Sequence, residues 1–450
     1  ERELWLVFLM KFLESFAYFT MSYCLVVYLS RDFGFSDRQA GWAYGLLNAL
    51  TALYGLPAGL LIIDNLGVRW SLLAGSTMLF CARMLMAFTT SNAVLSLVLY
   101  LLIPFGQAFG IPVMTIGIRR YTTMNNRSLA FSWFYVVMNF AALCAAPGVD
   151  MVRFVVGEGC VPFSLFNLPC FSSYRVLIFV GAMATACNIV IAFFFVREID
   201  VSRGGQTREY EVKASNPWVI FKEVAGSGRF WRFVCLIFIL VGVRLIYRHM
   251  DATFPKYMLR EFGSNAPYGS ILGINPFLII FLVPLVGHTC AKVPAFRMIM
   301  IGSLISGFSP LFLLLGPNYW DAVIWIIFLS IGEAIWSPRL YEYSTMIAPK
   351  GREGTYITLS SAPLFAAPII AGALSGDLLS RYCPAPGHCD SFKLWLVIAL
   401  MSAASPLLLV VLKPFIYRPE DMEALGQDHR RRSSSESAPL VTNAQTSKDS

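Results

Sequence analysis

Charge is what this sequence has least of. Only 14% of its residues are Asp, Glu, Lys or Arg, against 57% hydrophobic ones, and the mean hydropathy is +0.63. That leaves too little polar surface to cover a soluble globule of 450 residues, so the chain reads as a polytopic membrane protein. Histidine is scarce as well, with four in all. Neither a Ser/His pair nor a metal-ligand cluster falls at bilayer depth, which argues against an intramembrane enzyme and against a bound metal. No Walker-type loop or other phosphate cradle occurs, so ATP is not expected to drive the protein and no cofactor is implied. Nothing ahead of the first apolar run reads as a cleavable leader, and that run, Leu4 to Leu29, is expected to serve as its own insertion signal.

What the chain has in abundance is apolar runs long enough to cross a hydrocarbon core of roughly 30 Å. Twelve can be marked, six on either side of the polar segment Arg197 to Arg229. The expected organisation is an all-α membrane protein with an N-terminal six-helix bundle over 1–196 and a C-terminal one over 230–414. A cytoplasmic linker over 197–229 joins them, and a disordered cytoplasmic tail follows over 415–450. The linker's Asn216-Pro217-Trp218 is suited to open a short helix lying on the membrane face. A net charge of +8 and a pI near 9.0 would suggest nucleic acid in a soluble protein. Here Arg69, Arg119, Arg120, Arg127, the linker's basic residues, Lys292, Arg297, Lys350 and Arg352 all fall in loops on one side. This is the positive-inside pattern, which places both termini in the cytoplasm and excludes a nucleic-acid footprint. The close pairs Cys160 with Cys170 and Cys383 with Cys389 then lie on the outer or luminal side, where disulfides form, free thiols being the alternative. Whether the membrane is plasma or endolysosomal stays open.

Ionisable side chains inside the runs are the candidates for function, because each costs free energy in lipid unless it faces a cavity or a partner. Glu333 lies near the middle of the run Ala322 to Met346, five residues before Pro338, which is expected to kink the helix beside it. Lys11 and Glu14, three apart, share a helix face; they read either as a neutralised pair or as a coupling site where Glu14 exchanges a proton. Arg83 has no charged neighbour on its own helix and needs a partner from elsewhere. Arg244, Arg248 and Asp251 share a face; Arg244 is the deepest and suits Glu333 or a substrate carboxylate, while Arg248 and Asp251 suit a gate. Tyr18 and Trp336 are candidate substrate contacts, with packing as the other reading, and His249 reads as a hydrated histidine near a helix end.

Six plus six helices around a cytoplasmic linker resemble the major facilitator superfamily. Asp64-Asn65-Leu66-Gly67-Val68-Arg69 is similar, in part, to that superfamily's Asp-Arg-x-Gly-Arg-Arg loop, and the resemblance implies gating roles for Asp64 and Arg69. Three stretches resemble the proton-coupled oligopeptide transporter family: Phe131 to Ala142 its fifth-helix signature, Asn275-Pro276 with Pro284 its eighth helix, and Gly332-Glu333 with Ser337-Pro338 its tenth. In that family the tenth-helix glutamate holds the substrate's amino group. The first helix departs from the family, with Lys11 where it has a glutamate and Ser15 where it has an arginine; the fourth reads Phe109-Gly110-Ile111-Pro112 and lacks its lysine. The family's usual clamp for a peptide carboxylate is therefore missing.

The resulting expectation is a secondary transporter of a small polar organic solute, such as an amino acid, a short peptide or a similar zwitterion, coupled to protons. Glu333, Arg244, Lys11, Tyr18 and Trp336 would touch substrate, Glu14 and Glu333 would couple protons, and Asp64, Arg69, Arg248 and Asp251 would gate. The expected partners are the solute, protons and the lipid bilayer. The alternatives are an organic-anion uniporter or exchanger, and a non-transporting receptor or accessory membrane subunit of the same fold.

Overall fold

The computed structural model describes residues 2–57, 64–122, 124–157, 161–163, 168–197, 226–347, 359–360 and 362–417. The carboxylate of Asp64, the thiols of Cys160 and Cys170, the proposed helix at Asn216 and the tail lie outside the described residues. In lipid a backbone must satisfy its own hydrogen bonds, and the apolar runs do so as helices.

The N-terminal half comprises α1 (Arg2–Ser22), α2 (Leu25–Phe33), α3 (Asp37–Pro57), α4 (Asp64–Phe88), α5 (Asn92–Leu97), α6 (Ile103–Tyr121), α7 (Met124–Val156) and α8 (Ser173–Phe194). The C-terminal half comprises α9 (Gly228–Ala252), α10 (Phe254–Glu261), α11 (Tyr268–Thr289), α12 (Ala295–Phe308), α13 (Tyr319–Ile347), α14 (Ala362–Tyr382), α15 (Ser391–Val411) and α16 (Lys413–Ile416). Eleven of the described helical stretches are long and apolar enough to cross a membrane; α3, whose described part ends at Pro57, is the twelfth run.

Several helices depart from single straight rods. The first run is broken between α1 and α2, where Thr20 Oγ1 donates to the Phe16 carbonyl and Cys24 Sγ to that of Thr20, side-chain bonds that compete with the helical ladder. Gly34, at φ 67°, ends α2 by donating its N–H to the Leu29 carbonyl. A π-helical turn, Val98–Leu102, precedes Pro104 and absorbs its missing N–H. The helix α13 continues through Pro338, which leaves the carbonyl of Ala334 without its ladder partner. One element was not expected of an all-α chain: a two-stranded antiparallel ribbon, β1 (Val161–Phe163) with β2 (Leu168–Phe171), in the connection between α7 and α8.

The two halves meet along two seams. Along α3 and α14, a Cβ on Gly41 would collide with the Gly372 carbonyl, one on Gly372 with the Gly41 carbonyl, and one on Gly376 with that of Asp37. Along α7 and α11, a Cβ on Gly269 would strike the Ala146 carbonyl. Backbones approach this closely in membranes only where side chains are absent.

Candidate functional site

Polar bonds between the halves cluster at the end of the molecule where Cys383 and Cys389 are joined as a disulfide. Asp37 at the start of α3 accepts from Lys256 Nζ at 2.9 Å and Arg260 Nη2 at 2.7 Å, both on α10. Arg260 also donates to the Cys383 carbonyl at 2.5 Å, which ties this latch to the disulfide loop. Arg38 reaches Asp377 at 2.8 Å. Asp150 accepts from the N–H groups of Gly269 and Ser270 at 3.1 and 2.6 Å, capping the N-terminus of α11 with a carboxylate from the other half. Arg153 donates to the Ala266 carbonyl at 3.0 Å and to that of Ser264. The protein is thus closed at its disulfide end.

Just inside this closure lie Arg248 and Asp251, 3.4 Å apart. Tyr44 of α3 donates to Asp251 at 3.1 Å, and Tyr18 and Tyr23 stand within electrostatic reach of both. Tyr18 is therefore grouped with the Arg248–Asp251 pair, whose partners come from both halves. Tyr23 and Tyr44 carry no sequence signal beyond being tyrosines in apolar runs. His249 corrects its sequence reading: it is buried, not hydrated, and its Nδ1 lies 2.7 Å from Thr253 Oγ1.

Glu333 stands at the midpoint of α13. Its carboxylate is held by Arg244 Nη1 at 3.5 Å and by Asn275 Nδ2 at 3.1 Å. Ser337 accepts from Arg244 at 2.9 Å, and the guanidinium lies over the Trp336 ring at 4.6 Å. Trp336 Nε1 is 3.4 Å from the Tyr247 hydroxyl, which in turn sits 2.8 Å from Ser306. Trp336 is fully buried against Arg244 and Tyr247. Tyr135 of α7, from the opposite half, is within electrostatic reach of Glu333 and Arg244. Asn275 and Ser337 belong to the motifs that drew attention to α11 and α13, but polarity in an apolar run was the only sign that they would brace the charges.

In the N-terminal half the pairing differs from expectation. Glu14 does not pair with Lys11 three residues before it; Arg83 takes both its oxygens, at 2.7 and 3.1 Å, and also donates to Thr185. A planar fork matches a carboxylate better than an ammonium does, which explains the exchange of partners. Lys11 is 5% exposed; among the described residues it makes no hydrogen bond or ion pair, and its Nζ lies 4.8 Å above the Phe134 ring. Arg69 donates to the Phe193 carbonyl at 2.5 Å, within its own half. Arg339 and Glu342, three residues apart on α13, pair at 2.5 Å.

Two apolar cavities, of about 540 and 570 Å³, open between α4 and the π-helical turn (Trp70, Leu73, Leu102) and beside α12 and α13 (Leu304, Phe312, Phe328). They contain none of the charged groups and face outward as lipid-contacting grooves do. The arrangement that can do chemistry is the central one. Among the described residues it has three carboxylate–guanidinium pairs, Arg83 with Glu14 in the N-terminal half and Arg244 with Glu333 and Arg248 with Asp251 in the C-terminal half, and the Lys11 ammonium, which makes no hydrogen bond or ion pair; Tyr18, Tyr23 and Tyr44 line the closure beside Asp251.

Residues 7–372 match the family model described as Major Facilitator Superfamily. A search among curated proteins finds no match. The fold is similar to that of solved transporters at low identity. A POT family transporter in complex with 5-aminolevulinic acid has a TM-score of 0.71 and 16% identity, over 93% of this chain and 97% of that one. A peptide transporter POT in complex with sulfate has 0.70 and 16%, over 92% and 95%. The nucleoside transporter NupG has 0.70 and 14%, over 92% and 100%. At such identities the likeness is one of fold.

Proposed function

The chain belongs to the Major Facilitator Superfamily, and from that premise we propose that it is a proton-coupled secondary transporter of a small polar organic solute bearing a carboxylate, with amino acids, short peptides and similar zwitterions as the class. The observation that carries this reading is Glu333 at the midpoint of α13, held by Arg244 and Asn275 and within reach of Tyr135 from the other half. A carboxylate at bilayer depth is kept where it serves a cavity. The solute's ammonium takes the place of Arg244 at Glu333, and its carboxylate meets Lys11 or the released Arg244. The disulfide end is the outer or luminal face, closed in this state, and opening it breaks the bonds of Asp37, Arg38, Tyr44 and Asp150 while the opposite end closes. Arg248 and Asp251 act as the gate, with Tyr18 beside them.

Uptake into proteoliposomes under an imposed pH gradient tests the proposal: Glu333→Gln is expected to lower it by about tenfold or more, and unchanged uptake of every accepted solute would remove Glu333 from the centre. One observation favours a second reading. Glu14 and Glu333 both have guanidinium partners in their own halves, so Lys11, which has no ion pair among the described residues, leaves a positive surplus that suits an organic anion moved by exchange or uniport. Uptake indifferent to the pH gradient would select it.

A further inference from the structure

Three cations at the heart of the molecule are matched to carboxylates: Arg83 to Glu14 at 2.7 Å, Arg244 to Glu333 at 3.5 Å and Arg248 to Asp251 at 3.4 Å. Lys11 is the exception. It lies at the middle of α1, buried, with an aromatic ring as its only neighbour of note among the described residues. The charged group in electrostatic reach of its Nζ is Glu14 on the same helix, and both oxygens of Glu14 are committed to Arg83. The helices packed on this side bring no compensating charge among the described residues: α7 presents Phe134, and α8 presents Asn188, which bonds the Met10 carbonyl. Tyr135, next to Phe134 on α7, is within electrostatic reach of Glu333 and Arg244 in the other half.

We propose that Lys11 is where the carried proton and the carboxylate of the solute travel together. The inference rests on the reading of the protein as a carrier of carboxylate-bearing solutes. A desolvated ammonium without an anion is the costly state of this niche, and it can be relieved in two ways. With solute present, Nζ holds a proton taken from the outer solution and the carboxylate docks against it. Once the carboxylate has left on the inner side, Nζ gives its proton to water, and the uncharged amine is the form in which the empty carrier returns. One proton therefore moves with each carboxylate, and no bond of the solute is broken. The guanidiniums cannot serve, because arginine keeps its proton. The face of Phe134 steadies the ammonium while it waits for its anion.

The test uses the full chain with 5-aminolevulinate, dialanine and benzoate as probes. In lightly buffered solution, the wild-type protein should take up about one proton for each probe molecule bound. In proteoliposomes, Lys11→Arg should lose about tenfold or more of the accumulation driven by a pH gradient, and whatever probe it still binds should bind without proton uptake. Lys11→Arg that still accumulates probe under the gradient, or wild-type binding of a carried probe without proton uptake, overturns the proposal and leaves the carrier reading intact. If the wild type carries uridine or glucose and none of the three carboxylates, the carboxylate-carrier reading itself falls, and this proposal with it. The proton-uptake measurement needs no variant, so a poorly folding Lys11→Arg does not decide the matter.

Discussion

The most consequential residue in the N-terminal half is Arg83, because it determines what Glu14 and Lys11 are free to do. Buried at 1% exposure, it binds Glu14 with both forks and Thr185 besides. Removing one member of such a pair strands the other, whereas removing both relieves the desolvation on each side. Glu14→Gln is expected to destabilise the protein by about 3–5 kcal/mol, and the double replacement Glu14→Gln with Arg83→Gln by less than that. Thermal unfolding of the two variants in detergent checks the order; a double variant weaker than the single one would contradict the pairing. A second residue-scale expectation concerns Ser337, which braces Arg244 at 2.9 Å. Ser337→Ala removes one hydrogen bond to a charged group, a loss of about 1.5–3 kcal/mol, and should raise the solute's KM more than it lowers kcat. Spacing in the sequence suggested Lys11 with Glu14, since residues three apart share a face. It could not show that a guanidinium from α4 would reach the same carboxylate.

At the scale of elements, the seam between α3 and α14 depends on glycine. Gly41 and Gly372 meet backbone to backbone across the two halves, and any side chain at either position must push a carbonyl aside. Gly372→Leu is therefore expected to cost the closed state about 1–3 kcal/mol through overpacking, enough to shift an equilibrium by roughly tenfold towards opening at the disulfide end. Spin labels near the disulfide ends of α3 and α14 should move apart; an unchanged distance distribution would show that the seam does not control closure. These glycines drew no notice in the sequence, because a GxxxG spacing in an apolar run is common and acquires meaning only when a second such stretch lies opposite it. The break between α1 and α2 was equally hidden, since Thr and Cys in an apolar run look like ordinary helix residues until their side chains take the carbonyls of the preceding turn.

For the molecule as a whole, the polar bonds between the two halves gather at the disulfide end. Asp37 joins the halves by holding Lys256 and Arg260 together, and Arg260 carries the contact on to Cys383. Asp37→Asn leaves two cations facing each other without their anion, and should raise the fraction of molecules open at the disulfide end. Faster labelling of a cysteine placed at Tyr44 by a membrane-impermeant reagent would report it, and labelling at the wild-type rate would argue that the other latches suffice.

The sequence by itself determined that this is a membrane protein of two helical bundles, because only helices satisfy their own backbone in lipid and the apolar runs are long enough to span it. It also marked Glu333, Arg244, Lys11 and Asp251, because charge at that depth has to be accounted for. Only the tertiary structure decided which charge answers which. Partner choice depends on the direction in which each side chain leaves its helix and on which helix lies across from it, and neither is local information. Arg83 therefore took Glu14, Arg244 took Glu333, and Lys11 was left without an ion pair among the described residues.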